Sequence, residues 1–304
     1  MELLYFFEKI RIPGLNEFML TITKFGEEEA FLVIALILFW CIDKYVGYYT
    51  LSVGFIGTIA SQFMKLWFRI PRPWELDGNF TILEQAREGA GGYSFPSGHT
   101  QSAVGTFGSI AATTKNRKIC ITAIVIAALV AISRMYIGVH TPLDVGVSVL
   151  LSAFLIFAVR PFVFKNRRIG MPILLGVMVL MAVGYLCFVE FYKFPAEVFA
   201  TENYMHGREN TYTLLGALIG LVIVYIVDEK WLNFSVKAVW WAQILKVAIG
   251  LVLVLAVKAG MKGTLNAAFG EIAGRAVRYG LIVIVAGILW LLSFRWFGKL
   301  GKKE

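Results

Sequence analysis

The stretch that decides the fold is Ser133–Asp144, SRMYIGVHTPLD, which ends one apolar run and begins the next. It brings Arg134, His140 and Asp144 to one membrane edge within eleven residues. Because ionisable groups at that depth are energetically costly, they usually serve a function. A structural interpretation stays open for both charged residues. Residues 141–144 suit a helix start at which Asp144 would be a capping residue, and the Arg134 side chain would extend to the lipid headgroups.

The composition is typical of a helical membrane protein. Of the 304 residues, 58% are hydrophobic, and the mean hydropathy is +0.72. Apolar runs alternate with short charged loops, which predicts an all-α, polytopic membrane bundle. The nine predicted spans are Glu28–Ile42, Tyr45–Phe68, Gly98–Thr114, Ile119–Gly138, Pro142–Phe164, Met171–Phe191, Leu214–Val227, Ala238–Val257 and Val277–Phe297. Lys246 must reach a polar environment in the eighth span, and Gly216 with Gly220 favours close helix packing in the seventh.

The N-terminal residues 1–26 differ from the spans that follow. Their apolar positions recur at helical spacing on either side of Pro13-Gly14, with charged residues between them. This pattern predicts two short amphipathic helices in the membrane interface and excludes a cleaved signal peptide. The three cysteines lie far apart in or beside apolar runs, which indicates core residues without disulfide or metal-ligand spacing.

The net charge of +9 is distributed unevenly over the loops. When the spans are alternated across a bilayer, compact basic loops with few acids fall on one side, which the positive-inside rule assigns to the cytoplasm. The side that carries His140 is then extracytoplasmic. The basic excess follows membrane orientation, so it predicts the bilayer as partner and no nucleic acid.

A basic cluster ends the second span. Lys65, Arg69 and Arg72 are spaced to share one helical face until Pro71 and Pro73 end the helix. Three cations on one face repel one another unless an anion lies among them, although a basic anchor at the membrane edge also explains them. The polar loop of residues 74–93 that follows is long enough to be a lid or an entrance loop.

The third span begins with Pro96-Ser97-Gly98-His99. A helix N-terminus presents free N–H groups and the positive end of the helix dipole, which together bind anions. Ser97 suits a cap or a donor, and Gly98 permits close backbone approach. The same residues would also suit a simple helix cap. The span count, however, places them on the same membrane side as Lys65, Arg134, His140 and Asp144.

Together these groups suit phosphoryl transfer, which requires mainly positioning and stabilisation of charge on phosphate oxygens. No Cys, His or carboxylate cluster indicates a metal, so neither metal nor cofactor is predicted. Three signatures carry the resemblance to a family: Lys65, six residues, Arg72-Pro73; Pro96-Ser97-Gly98-His99; and Ser133-Arg134, five residues, His140, three residues, Asp144. In these positions the chain resembles the type-2 phosphatidic acid phosphatase family, of the superfamily that includes the vanadium haloperoxidases.

The resemblance implies a role for each matched residue. His140 would be the nucleophile that forms a phosphohistidine, Asp144 would orient it, and His99 would act as general acid and base. The residues that would bind phosphate oxygens are Lys65, Arg72, Ser97, Gly98 and Arg134. Arg69 lies outside the signatures, and one helical turn from Lys65 it could reach the second phosphoryl group of a diphosphate, or only anchor the helix.

These observations predict three regions: interfacial helices over 1–26, a phosphatase-like core over 27–168, and a C-terminal transmembrane extension of open role over 169–304. We expect an integral protein of a bacterial-type inner membrane that hydrolyses a lipid phosphate or diphosphate, such as undecaprenyl diphosphate or a phosphatidate-like lipid, without metal. A sugar phosphatase and a lipid-phosphate transporter or scramblase are the alternatives. The extra spans are also compatible with a homo-oligomer. His206 lacks a ligand set and is interpreted as an ordinary loop histidine.

Overall fold

The computed structural model describes residues 1–87, 89–199 and 201–300, and every regular element in these ranges is a helix. The predicted all-α fold is confirmed. The helices before Gly138 are α1 Glu2–Lys9, α2 Pro13–Thr23, α3 Glu28–Ile37, α4 Lys44–Phe68, α5 Pro73–Leu76, α6 Gly98–Thr113 and α7 Arg117–Tyr136. The helices after Gly138 are α8 Pro142–Phe164, α9 Arg167–Phe191, α10 Ala196–Phe199, α11 Glu202–Val227, α12 Trp240–Gly260, α13 Lys262–Phe269, α14 Glu271–Ile284 and α15 Phe294–Phe297.

Six helical segments of the described chain are long and apolar enough to cross a membrane: 117–136, 142–164, 167–191, 202–232, 240–260 and 271–297. The other three predicted spans are helical but do not meet this criterion. α3 has 10 residues and α6 has 16, which is short for a bilayer core that needs about 20. α4 has 25 residues, but polar side chains interrupt its apolar surface. The integral membrane character is confirmed, and the number of candidate spans is six instead of nine.

One compact unit comprises residues 1–35, 49–171 and 193–207. In it α6 packs along α7 and α8, while α1 and α2 lie against α7. Met19 of α2 shares a buried cluster with Tyr136 and with Ala86 and Ala90 of the polar loop. The loop that was predicted as a lid is therefore packed on the N-terminal helices. The interfacial position of residues 1–26 stays a prediction.

The second unit comprises residues 36–48, 172–192 and 208–304. Its α12 packs against α14 and α15, and α11 approaches α14 closely, because a Cβ added at Gly216 would lie 2.0 Å from the carbonyl oxygen of Ala276. The predicted close packing at Gly216 is thus found. Lys246 is buried, and its ammonium donates to the carbonyls of Trp40 and Val236 at 3.0 and 2.9 Å, which satisfies the polar requirement expected of it.

Candidate active site

A cavity of about 320 Å³ in the first unit is lined by residues from all three signatures. Four helix ends bring the three signatures together: α4 carries Lys65 in its last turn, α6 begins at Gly98, α7 carries Arg134 in its last turn, and α8 carries Asp144 in its first. The signature residues in the cavity wall are Lys65, Arg72, Gly98, His99, Arg134 and His140.

Two direct contacts fix the starts of α6 and α8 relative to each other. The amide of Ser97 donates to the carbonyl of Asp144 at 3.2 Å, and the hydroxyl of Ser148 donates to the carbonyl of Ser97 at 2.9 Å. Between α7 and α8 the chain turns at Gly138, whose φ of +90° suits glycine. A Cβ there would also lie only 2.9 Å from Nη2 of Arg11.

His140 is 1% exposed and is held at both ring nitrogens. Its Nδ1 lies 3.5 Å from Oδ2 of Asp144, and its Nε2 lies 3.0 Å from Nη1 of Arg72. Because a guanidinium only donates hydrogen bonds, Nε2 must be the acceptor, which places the proton of neutral His140 on Nδ1, towards the carboxylate. Burial lowers the pKa of His140 well below its ordinary value, and the neighbouring cations Arg72, Arg134 and Lys65 lower it further. The imidazole is therefore neutral with a lone pair on Nε2.

Asp144 lies in a position that suits both interpretations that the sequence left open. Its Oδ2 accepts from the amide of Thr141 at 2.7 Å and its own amide donates to Oγ1 of Thr141 at 3.3 Å, which is a capping box. The same Oδ2 faces His140 and accepts from the hydroxyl of Ser94 at 2.6 Å. Ser94 is fully buried and was not predicted as a site residue. One carboxylate oxygen thus caps α8 and faces the imidazole.

Arg72 is anchored through its whole guanidinium group. Nη1 donates to the carbonyl of Val139 at 2.9 Å, Nε to that of Gly92 at 3.1 Å, and Nη2 to that of Gly91 at 2.8 Å. Burial lowers the pKa of Arg72 to about 10, so it stays a cation near neutral pH. The loop residues 91–92 therefore act as a strap that fixes this cation beside His140.

The other two cations line the same cavity. Lys65 donates its ammonium to the carbonyl of Tyr93. Arg134 is 2% exposed, and its Nη1 donates to Oγ1 of Thr23 at 2.7 Å, but its Nε is buried with no hydrogen-bond partner among the described residues. An unsatisfied buried N–H of a cation is costly, and an anion in the cavity would satisfy it.

The second signature divides into a cap and a cavity wall. Ser97 is the N-cap of α6, accepts from the amide and hydroxyl of Thr100 at 3.4 and 3.0 Å, and does not line the cavity. Gly98 and His99 do line it, and a Cβ added at Gly98 would meet nothing within 4 Å. The backbone at the start of α6 is therefore open to an anion, while Ser97 shapes the helix start.

Comparison with known proteins assigns the family. Residues 44–168 match the profile of the PAP2 superfamily, and residues 212–303 match the profile described as PAP2 superfamily phosphatase, transmembrane extension. The chain is 33% identical over 172 residues to phosphatidylglycerophosphatase B of Bacillus subtilis, an alignment that covers 52% of this chain and 80% of that relative. The chain belongs to the PAP2 superfamily.

Two further PAP2-type relatives differ in the esters that they are named for. Sphingosine-1-phosphate phosphatase 2 of Homo sapiens is 26% identical over 219 residues, which is 68% of this chain and 50% of that relative's length. Undecaprenyl-diphosphatase of Sulfolobus acidocaldarius is 32% identical over 149 residues, which is 48% of this chain and 70% of that relative. No solved structure matches the chain. These relatives are phosphatases, which confirms the predicted enzyme class at the level of the family.

Arg69 lies inside the PAP2 match but not where the sequence placed it. α4 ends at Phe68, Arg69 has φ +50°, and its Nη1 donates to the carbonyl of Leu66 at 3.3 Å. Arg69 does not line the cavity. The predicted common helical face with Lys65 and Arg72 is wrong, because the helix ends at Phe68, three residues before Pro71, and does not continue to the proline. Binding of a second phosphoryl group by Arg69 stays a prediction, but the shared helical face no longer supports it.

His206 lies outside both PAP2 matches yet lines the cavity. It belongs to α11, so its interpretation as a loop histidine is wrong. A Cβ added at Gly91 or Gly92 would lie 3.7 Å from its ring atoms, which places the imidazole against the strap that holds Arg72. All three histidines of the chain therefore line one cavity. The polar stretch around residue 206 was visible in the sequence, but no local pattern linked it to the signatures.

Acidic residues also reach the cavity. The residues Glu27, Glu28 and Glu29 line it at the start of α3. Among the described residues, however, no group of three or more His, Cys, Asp and Glu side chains is arranged to hold a metal ion. Independence from metal stays a prediction, which phosphate release in the presence of a chelator tests.

Proposed function

We propose that the chain hydrolyses a lipid phosphate or diphosphate through a phosphohistidine at His140. The observation that carries this proposal is the setting of His140, whose Nδ1 faces Asp144 while its Nε2 points to Arg72 in a wall lined by cations. A neutral imidazole oriented by a carboxylate is an activated nucleophile. The relatives' names, which include a diphosphatase and two phosphatases of phosphate monoesters, support this class of substrate.

In the first half-reaction, Nε2 of His140 attacks phosphorus and the bond from phosphorus to the leaving oxygen breaks. His99, in its protonated form, gives that oxygen a proton, so a lipid alcohol leaves from a monoester and a lipid phosphate leaves from a diphosphate. Because burial lowers the pKa of His99 well below its ordinary value, the negative charge of the bound substrate must keep it protonated. The cations Lys65, Arg72 and Arg134, with the N–H groups at the start of α6, would stabilise the charge on the equatorial oxygens. Arg134 has an unsatisfied Nε available for one of them.

In the second half-reaction, water attacks the phosphorus of phosphohistidine. His99, now neutral, takes a proton from that water, and the bond between phosphorus and Nε2 breaks. Inorganic phosphate leaves, and His140 returns to its neutral form. Asp144 stabilises the imidazolium charge that develops on His140 in both halves, because its Oδ2 lies 3.5 Å from Nδ1.

The proposal includes the three regions and the orientation predicted from the sequence. Residues 27–168 would be the catalytic region, 1–26 the interfacial helices and 169–304 the transmembrane extension, with the site at the extracytoplasmic face of a bacterial-type inner membrane. A cysteine-free chain carrying Gly78→Cys should react with an impermeant thiol reagent added to intact cells, because Gly78 is exposed and a Cβ added there would meet nothing within 4 Å. Arg117→Cys, also exposed, is the matched control and should react only after permeabilisation. The reverse pattern would contradict the orientation.

Phosphate release by the purified chain in EDTA tests the reaction. The substrates are phosphatidylglycerophosphate, sphingosine 1-phosphate, undecaprenyl diphosphate and one sugar phosphate. We expect release from at least one lipid substrate and covalent radiolabel from its phosphate in the wild type but not in His140→Ala. Equal labelling of the two proteins would overturn the role of His140. Preference for the sugar phosphate would support the soluble-substrate alternative, and binding without release would support a transporter.

A further inference from the structure

A second cavity, of about 820 Å³, lies within the second unit, far along the chain from the signatures. Its walls come from the non-helical segment 233–239 and from residues 291–300. The buried side chains of Phe234, Leu291 and Phe294 form an apolar floor, with the rings of Phe234 and Phe294 5.7 Å apart. Nothing in the proposed phosphatase reaction uses this cavity.

All the charged side chains that line this cavity are cations. They are Lys237, Arg295 and Lys299, and each is exposed. In the ranges that the structure describes, no acidic residue lines the cavity and none of the three cations takes part in an ion pair. An apolar floor with an uncompensated basic rim is complementary to an amphiphile with an anionic head.

Tryptophans mark the membrane level of this cavity. Trp231, Trp240 and Trp296 are 67%, 75% and 59% exposed, and each lies within one to three residues of a lining residue. Exposed tryptophan is enriched at the boundary between lipid headgroups and acyl chains. The cavity is therefore expected at the depth of the phosphate groups of a lipid, with its apolar floor beside the upper acyl chain.

Hydrogen bonds within the protein hold the wall in place. The carbonyl of Val236 accepts from Nζ of Lys246 at 2.9 Å and from Nε2 of Gln243 at 2.8 Å. The amide of Phe234 donates to Oδ1 of Asp228 at 3.2 Å. The segment leads to Val239, the N-cap of α12, which supplies no capping side chain. A preformed wall reduces the ordering cost of binding.

We propose that this cavity is a binding site for the headgroup of an anionic phospholipid. The phosphate and any further anionic group of the lipid would pair with Lys237, Arg295 and Lys299, and the upper acyl chain would lie on Phe234 and Phe294. The proposed lipid is a phosphodiester that the protein binds without hydrolysing. The proposal is independent of the phosphatase reaction.

Native mass spectrometry of the full chain in mixed micelles tests the site. The probes are dioleoylphosphatidylglycerol and, at the same mole fraction, zwitterionic dioleoylphosphatidylcholine. We expect one tightly retained phosphatidylglycerol per chain and none of the zwitterionic lipid. Equal retention of the two lipids would overturn the recognition of charge.

Two matched variants locate the binding. Lys237→Gln/Arg295→Gln/Lys299→Gln should weaken phosphatidylglycerol retention by at least about ten-fold. Lys115→Gln/Arg117→Gln/Lys118→Gln removes three exposed cations from another basic loop and should change it little. If both variants weaken phosphatidylglycerol retention equally, the lipid binds through general surface charge, and the proposed site is overturned. If the first variant misfolds, Lys237→Gln/Lys299→Gln replaces it, with a smaller loss expected. Phosphate release should persist in every variant, and its loss would speak against the independence of the two sites.

Discussion

Nη1 of Arg72 lies 3.0 Å from Nε2 of His140, so the guanidinium covers the lone pair proposed to attack phosphorus. A bound phosphate must take over this hydrogen bond before the attack. The remaining contacts of Arg72 to the carbonyls of Val139, Gly91 and Gly92 limit how far it moves. In the proposed reaction Arg72 would therefore cover the nucleophile before substrate binds and then donate to a phosphate oxygen.

Arg72→Lys should show that activity depends on the planar guanidinium group of Arg72 as well as on its charge. Lysine keeps the cation but cannot reach three carbonyls and a phosphate together. Charge-assisted contacts are worth about 1.5 to 3 kcal/mol, so kcat/KM should fall roughly ten-fold to over a hundred-fold. Steady-state phosphate release measures this. The control is Arg87→Lys, because Arg87 is exposed and pairs with Glu84, and its variant should keep nearly full activity. Equal effects would contradict the special position of Arg72.

The lowered pKa of His140 predicts the acid limb of the pH profile. A histidine with a pKa below 6.5 stays neutral, and thus nucleophilic, to lower pH, so activity is lost only as the pH falls through that lowered value. After correction for the ionisation of the substrate, the acid limb of kcat/KM should lie below pH 6.5. Arg72→Gln removes a neighbouring cation and should move the limb upwards. A limb above 6.5 in the wild type would contradict the buried, cation-flanked imidazole.

Asp144→Asn separates orientation of the imidazole from capping of the helix. The side-chain amide of the asparagine can still accept the hydrogen bond from the backbone amide of Thr141, so the cap is largely kept. It carries no negative charge to stabilise an imidazolium, so kcat should fall by at least about a hundred-fold with a small change in KM. Thr141→Ala removes the reciprocal cap and should cost about 1 kcal/mol of stability while activity persists. Thermal unfolding and steady-state kinetics of both variants measure this. If Asp144→Asn loses activity only in proportion to folded protein, its role is structural.

The meeting of the signatures was predictable because each one sits at a helix end. Proline and capping residues mark the starts of α6 and α8, and alternation of the spans places these ends together on one side. The number of candidate spans was overestimated for a related reason. Ser61, Gln62 and Lys65 of α4 and Gln101 and Ser102 of α6 line the cavity, so these helices carry polar faces that a count of apolar runs does not resolve.

The positions of Arg69 and His206 were not predictable from local sequence patterns. The position of Arg69 depends on its left-handed backbone, and helical spacing alone assumed that α4 continues to Pro71. The place of His206 depends on how the start of α11 packs on the strap at residues 91–92, more than a hundred residues earlier. Contacts between residues so far apart in the chain arise from tertiary packing, and no local sequence pattern predicts them.

The structure changes what is expected of Arg69→Gln. A second-phosphate ligand would lower kcat/KM for a diphosphate much more than for the matching monophosphate. Because Arg69 bonds to the carbonyl of Leu66 and does not line the cavity, we expect small and equal effects on the two substrates. Undecaprenyl diphosphate and undecaprenyl phosphate form the matched pair. A selective loss of at least about ten-fold on the diphosphate would restore Arg69 as a ligand and require it to move on binding.

His206→Ala should loosen the strap that holds Arg72. The imidazole lies against Gly91 and Gly92, whose carbonyls accept from Nη2 and Nε of Arg72. Without the imidazole, Arg72 is less well positioned towards the substrate in the ground state and in the transition state alike. KM should therefore rise roughly five-fold, equivalent to about 1 kcal/mol, with kcat nearly unchanged. His206→Gln should restore part of the packing and have a smaller effect. In the double variant with Arg72→Lys, the loss from His206→Ala should largely disappear, because both changes act through one guanidinium. Additive losses would instead mean that His206 contacts the substrate directly.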